Sequence, residues 1–204
     1  MKNFLCPIFV SLSFFIYAQK NTILKSQKIA LNEAERYLKT NQLDMAADIF
    51  KYTYKLDDGS KLGVIAVRKY DSIMKSILIK DIIGKWILFE QGSNWGFTEE
   101  KDSINRKVLV ISKDEFQFYD ENIQTKEQKN YKTEKIILTK FEDTSGSRFD
   151  FVFSDKSLWR IFWDNRRKYL RQFSTGEETI DNRTEIFCGN IELNYKRYDE
   201  GAIK

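Results

Sequence analysis

The spacing of apolar residues in this 204-residue chain changes once, near Gly84-Lys85-Trp86, and that change limits the folds open to it. Before it, apolar residues recur every three or four positions, the period of a helix with one buried face. After it they alternate with polar ones, the period of a strand with one buried face. Two kinds of element, segregated along the chain, predict an α+β protein rather than an alternating α/β one.

Three stripes make up the helical part, from about position 21 to 80. Ile29, Leu31, Ala34, Tyr37 and Leu38 form the first. Leu43, Ala46, Ala47, Phe50 and Tyr54 form the second. Leu62, Ile65, Ala66, Lys69, Ile73, Ile77 and Leu78 form the third, with Met74 beside it. Thr40-Asn41 separates the first two. Leu56-Asp57-Asp58-Gly59-Ser60 ends the second and offers Ser60 as N-cap to the third. Beyond position 81, Phe116-Gln117-Phe118, Phe149 to Phe153, Trp159 to Trp163, Tyr169 to Phe173 and Ile191 to Tyr195 alternate as strands do. Trp86–Glu90, Lys107–Ile111, Lys135–Phe141 and Thr184–Cys188 bring the number to eight or nine, with Gly, Asn, Asp and Ser clusters between them. No helical segment intervenes, so the strands are expected to be antiparallel. An up-and-down β-barrel is the expected arrangement, because closure removes exposed edges.

The first residues point to export. Met1-Lys2-Asn3 is a short positive start, Phe4 to Tyr17 is apolar and uncharged, and Ala18-Gln19-Lys20 returns to polar sequence. That is the layout of a secretory signal peptide, and the run is short for a permanent membrane helix. The expected organisation is a signal peptide over 1–18, a helical segment over 19–81 and a β domain over 82–204. The expected cut follows Ala18, and the expected location is the periplasm or the cell exterior, with no stable membrane span after cleavage; Ile16, large for the third position before the cut, leaves an uncleaved anchor as the alternative. Cleavage removes Cys6 and leaves Cys188 without a partner for an intramolecular disulfide. Within Glu185-Ile186-Phe187-Cys188 that cysteine reads as a small buried strand residue.

Two resemblances sharpen these expectations. Ala34, Tyr37, Ala46 and Phe50 fall where a tetratricopeptide repeat places small and aromatic residues, so the first helix pair resembles a single such repeat. A lone repeat cannot build the concave surface of an array. The helices are therefore expected either to brace the β domain or to dock on a protein partner of the cell envelope. Gly84-Lys85-Trp86, set where the period switches, resembles the opening of a lipocalin, and more closely the lipocalin-like domains of bacterial exported proteins. The Tyr17-Ala18-Gln19 junction is similar to those of exported proteins from Bacteroidota. The lipocalin resemblance implies that Gly84 and Trp86 plug the closed end of the barrel and that Arg197 stacks on the Trp86 ring. It also implies an interior that is either filled by side chains or open to one small apolar or amphipathic ligand. Trp95, Phe116, Phe118, Phe151, Phe153 and Trp159 are the candidates to line it.

Composition excludes several chemistries. The chain has no histidine, which rules out histidine triads, histidine proton shuttles and imidazole-built zinc sites. Glu99-Glu100, Glu177-Glu178 and Asp57-Asp58 are sequence neighbours; on a strand such neighbours point to opposite faces, so they do not pair for acid–base work. No phosphate-binding loop, nucleophile elbow or cysteine cluster is present. No catalytic residue, metal or cofactor is expected. A net charge of +4 from 34 basic and 30 acidic side chains is too small to suggest a nucleic-acid partner. Arg160, Arg166, Arg167, Lys168 and Arg171 do interleave with aromatics, and long basic stems lying over rings on an outer sheet face explain that pattern.

Overall fold

The structure is a computed structural model that describes residues 5–143, 146–180, 182–186 and 188–198, with 5–18, 142–143 and 146–147 given by backbone alone. Residues 1–4, the charged start of the expected signal peptide, lie outside the described residues, as does Phe187. The chain divides into two compact units, Met1–Ile77 and Leu78–Lys204. Among the described residues no helix is long and apolar enough to cross a membrane.

The first unit holds α1 (Leu5–Lys39), α2 (Leu43–Leu56) and most of α3 (Lys61–Ile82). Asn41 takes a left-handed φ of 57° at the α1–α2 turn, a conformation that asparagine tolerates better than most residues. Ala34 and Ala46 are fully buried beside Phe50, so small side chains let α1 and α2 approach while one ring fills the space between them. Ser60 caps α3, accepting the Gly63 N–H at 2.9 Å. Gln27, fully buried on α1, ties the corner together. Its amide nitrogen donates to the carbonyls of Thr53 (3.0 Å) and Asp57 (2.9 Å), and its oxygen accepts the Ser60 hydroxyl (2.9 Å). Position 63 must be glycine because a Cβ there would strike the Asp57 carbonyl oxygen.

The second unit is one antiparallel sheet of eleven strands: β1 (Gly84–Ser93), β2 (Gly96–Glu99), β3 (Asn105–Ile111), β4 (Glu115–Asn122), β5 (Gln128–Lys135), β6 (Leu138–Asp143), β7 (Gly146–Val152), β8 (Ser157–Asp164), β9 (Tyr169–Glu178), β10 (Arg183–Glu185) and β11 (Glu192–Arg197). The order is β5-β4-β3-β1-β11-β9-β8-β7-β6, with β2 paired to β1 and β10 to β9. First and last strands pair, Trp86 opposite Arg197 and Leu88 opposite Tyr195.

The sheet is not closed into a barrel, and this corrects the expected closed meander of eight or nine strands. Its two edges, β5 and β6, are consecutive in the chain and share no ladder. Two strands escape the hydrophobic pattern. β2 is exposed throughout. β5, Gln128-Lys129-Asn130-Tyr131-Lys132-Thr133-Glu134-Lys135, buries only Glu134. A lysine-rich edge strand of that kind resists pairing with further strands. Side chains tie the end of β5 to the turn between β7 and β8. The Glu134 carboxylate accepts the backbone N–H (2.7 Å) and hydroxyl (2.8 Å) of Ser154, and Lys132 lies 3.0 Å from Glu134 and 3.7 Å from Asp155.

Curling brings the inner faces of distant strands together. Trp86, Leu109, Ile111, Phe116, Phe151, Ile161 and Leu170 are each at most 2% exposed and belong to one core. Burial of each such side chain is worth about 1.5–3 kcal/mol. Leu78, Ile79 and Ile82, at the end of α3, join that core.

Candidate functional site

The inner face of the curled sheet is where the sequence placed its candidates, and the ladder registers define its lining. Directly paired residues share a face. At one end, β1, β8 and β11 converge on Trp86. Its indole Nε1–H donates to the Ile82 carbonyl at 2.9 Å, Trp163 lies 5.6 Å away, and the Arg197 guanidinium stands 4.0 Å from its ring. Arg197 Nη1 also donates to the Ile83 carbonyl at 3.2 Å. Gly84 has φ +149°, a backbone region costly for any residue with a Cβ.

Five of the six lining candidates cluster. Phe116 packs edge-on to Phe151 at 5.0 Å and lies 5.7 Å from Phe153. Phe153 reaches Phe118 at 6.1 Å and stacks on Trp159 at 5.9 Å. Lys132 of β5 crosses the Phe153 ring at 4.9 Å. Trp95 is not among them: its side chain is 77% exposed, near Gly189. Cys188 is exposed, not the buried strand residue expected, because β10 ends at Glu185 and the chain loops before β11.

Gln172 and Ser174 of β9 are buried polar side chains within this lining. Gln172 of β9 pairs with Ile161 on one side and Leu193 on the other, which places it on the inner face between Leu170 and Ser174. It is 2% exposed, and its Oε1 is fully buried without a hydrogen-bond partner. An unpaired buried acceptor is unfavourable by about 1–3 kcal/mol. Diagonally across the ladder, Tyr195 is 3% exposed, and burial pushes its phenol far above the ordinary range, so the hydroxyl stays protonated. The alternation of Tyr169-Leu170-Arg171-Gln172-Phe173 was enough to put Gln172 beside Leu170. The same alternation turns Phe173 outward, opposite Arg160.

Polar groups gather at the other end of the inner face. Lys107 and Asp120 pair at 2.6 Å beside a cavity of about 400 Å³ that Asn105, Asn122 and Glu127 also line. The carboxylate raises the Lys107 pKa by hydrogen bonding and charge, against a smaller opposing effect of burial.

The outer face carries ionic networks. Asp150 is fully buried, with Arg160 at 3.0 Å and Arg183 at 2.8 Å on its two oxygens, and it accepts the Thr175 hydroxyl at 3.2 Å. Arg171 forms a two-toothed pair with Glu192 at 2.8 and 3.0 Å while crossing the Phe162 ring at 5.5 Å. Two arginines of the basic–aromatic run are thus engaged by carboxylates and lie over rings. Glu121 is likewise buried under Tyr198, whose hydroxyl donates to it at 3.0 Å and whose ring lies between Lys85 (3.7 Å) and Arg106 (4.6 Å). Burial pushes the Glu121 carboxyl up, but hydrogen bonds from Gln128, Arg106 and Tyr198 outweigh it and leave the pKa below the usual range. Among the described residues no group of three or more Cys, Asp or Glu side chains is arranged to hold a metal ion.

Scans against protein-family models, curated proteins and solved structures find no match for this chain.

Proposed function

We propose that this is a non-enzymatic exported protein whose curled sheet binds a small apolar or amphipathic molecule against its inner face. The observation that carries the reading is Gln172: a buried side-chain amide, its oxygen unused, set on the inner face among Ile161, Leu170 and Leu193. Small-molecule sites have that composition, a mostly apolar wall with a few fixed polar groups. An isolated core has no use for such a group, since an aliphatic residue of similar size avoids the desolvation penalty. The open edge supplies a way in. Because β5 shares no ladder with β6, moving its end away from the β7–β8 turn breaks only the Glu134–Ser154 clasp and leaves the sheet's backbone bonding intact. The export signal read from residues 1–18 fits a carrier or scavenger working outside the cytoplasm.

Titration of the purified protein with environment-sensitive fluorescent fatty-acid and retinol probes tests the reading. Saturable fluorescence that unlabelled competitor displaces, and that falls in Phe118→Ala or Trp159→Ala, is the expected result. Absence of displaceable signal from every probe would refute it.

A further inference from the structure

Two neighbouring segments of the sheet unit are uncharged and exposed together. Residues 91–98, from the end of β1 into β2, and residues 186–191, between β10 and β11, carry no Asp, Glu, Lys or Arg in a chain that is 31% charged. Asn94 holds them against each other. Its Oδ1 accepts the Gly189 N–H at 2.9 Å, its Nδ2 lies 3.9 Å from the Cys188 sulfur, and a Cβ on Gly189 would stand 3.7 Å from the Trp95 indole nitrogen. Trp95, at the turn, is 77% exposed, and Phe97, Ile186 and Ile191 are exposed with it. A contiguous apolar patch of this kind marks a surface that meets something apolar.

The surrounding charges narrow what can meet it. Glu99 pairs with Lys101 at 3.3 Å, Glu185 with Arg183 at 3.7 Å and Glu192 with Arg171 at 2.8 Å. The flanks therefore offer no row of free cations to an anionic surface, and Glu100 adds a carboxylate that repels one. An uncharged apolar tip with neutralised flanks complements an uncharged or zwitterionic lipid surface. A tryptophan ring, apolar with one N–H at its edge, suits the boundary between head groups and acyl chains.

We infer that these two segments dock as one tip on a lipid bilayer of zwitterionic head groups, with Trp95 entering that boundary. The contact is independent of whether the inner face holds a ligand.

Phosphatidylcholine vesicles brominated on their acyl chains test this, because bromine quenches only tryptophans that enter the bilayer. The apolar run over residues 4–17 contains no tryptophan, so its own affinity for lipid does not register. Titrating the purified protein should give saturable quenching of part of the emission, and that part should vanish in Trp95→Phe, since Trp86, Trp159 and Trp163 pack in the sheet core. Ile191→Glu puts a charge into the tip and should raise the lipid concentration at half-quenching about tenfold or more, with an unchanged melting temperature because the side chain is exposed. Tyr52→Glu, at an exposed aromatic of α2, should leave that concentration unchanged. Salt at about 0.5 M, which screens surface charge, should leave the quenching in place. No quenching at any lipid concentration, quenching that Ile191→Glu leaves unaltered, or quenching that requires anionic lipid and disappears in salt overturns the inference. A Trp95-dependent dimer without quenching overturns it too, and assigns the tip to a second copy of the chain.

Discussion

Gly84, Trp86 and Arg197 form a unit in which backbone and side-chain effects can be separated. The Trp86 ring is fully buried, bonded through Nε1 to the Ile82 carbonyl and covered by the Arg197 guanidinium. A guanidinium over an indole contributes about 0.5–2 kcal/mol, so Arg197→Ala is expected to lower stability by that order in urea titration. Gly84→Ala should destabilise for two reasons. Its φ of +149° is strained for any L side chain, and the new Cβ would meet the end of Arg197. The guanidinium is the far end of a flexible side chain and can move, whereas the backbone strain, about 1–3 kcal/mol, cannot be relieved locally. The double variant Gly84→Ala/Arg197→Ala is therefore expected to be no more stable than Gly84→Ala alone. A double variant that recovers stability would place the penalty in the collision and not in the backbone.

Between elements, the end of β5, which pairs with no strand on its outer side, is held to the β7–β8 turn by the Glu134–Ser154 clasp. Burial alone would raise the Glu134 pKa; bonds from the Ser154 backbone, Lys132 and the Ser154 hydroxyl more than offset it, and the folded value lies below the ordinary 4.5. A carboxyl depressed in the folded state contributes stability above its unfolded pKa and loses it as pH falls through the folded value. The clasp should therefore be fully present at neutral pH and weaken from about pH 4.5 downward. Hydrogen exchange is expected to show β5 amides gaining exchange in that acid range before those of β1 and β11, and Glu134→Gln should flatten the response. Uniform exchange across all strands would deny the junction a separate weakness. Much of this architecture was legible in the chain. The period switch at Gly84, the Ser60 cap and the inward rows of β4, β7, β8 and β9 follow from spacing alone. β5 did not, because an exposed edge strand buries one side chain and so leaves no hydrophobic alternation to read. Ile29 and Ile65 misled in the other direction: each falls in a helical stripe by spacing yet is exposed, at 60% and 43%. Gln27 and Gln172 show the complementary failure, since a single polar residue in an apolar row looks like an interruption until its neighbours are in place.

At the scale of the whole chain, the division between the two units falls inside α3, after Ile77, and not at the change of period. Periodicity reports which face of an element is buried, not which core it is buried in, so it could not divide a continuous helix between two cores. Residues 78–82 continue the helix while packing with the sheet. Ile82 is fully buried there, and its carbonyl is the acceptor for the Trp86 indole. Two truncations distinguish the boundaries. A fragment from residue 78 to 204 keeps the whole sheet core together with Leu78, Ile79 and Ile82. It is expected to unfold cooperatively, with the near-ultraviolet signal of ordered tryptophans. A fragment starting at residue 84 retains every strand but loses Ile82, leaving a cavity and an unpaired buried indole N–H. Removing a buried isoleucine side chain costs about 2–5 kcal/mol and an unsatisfied buried donor about 1–3 more, together a large share of the roughly 5–15 kcal/mol that stabilises a domain. The shorter fragment should melt far lower or lack fixed tertiary structure while keeping its strand content by far-ultraviolet circular dichroism. Equal melting of the two fragments would return the boundary to Gly84.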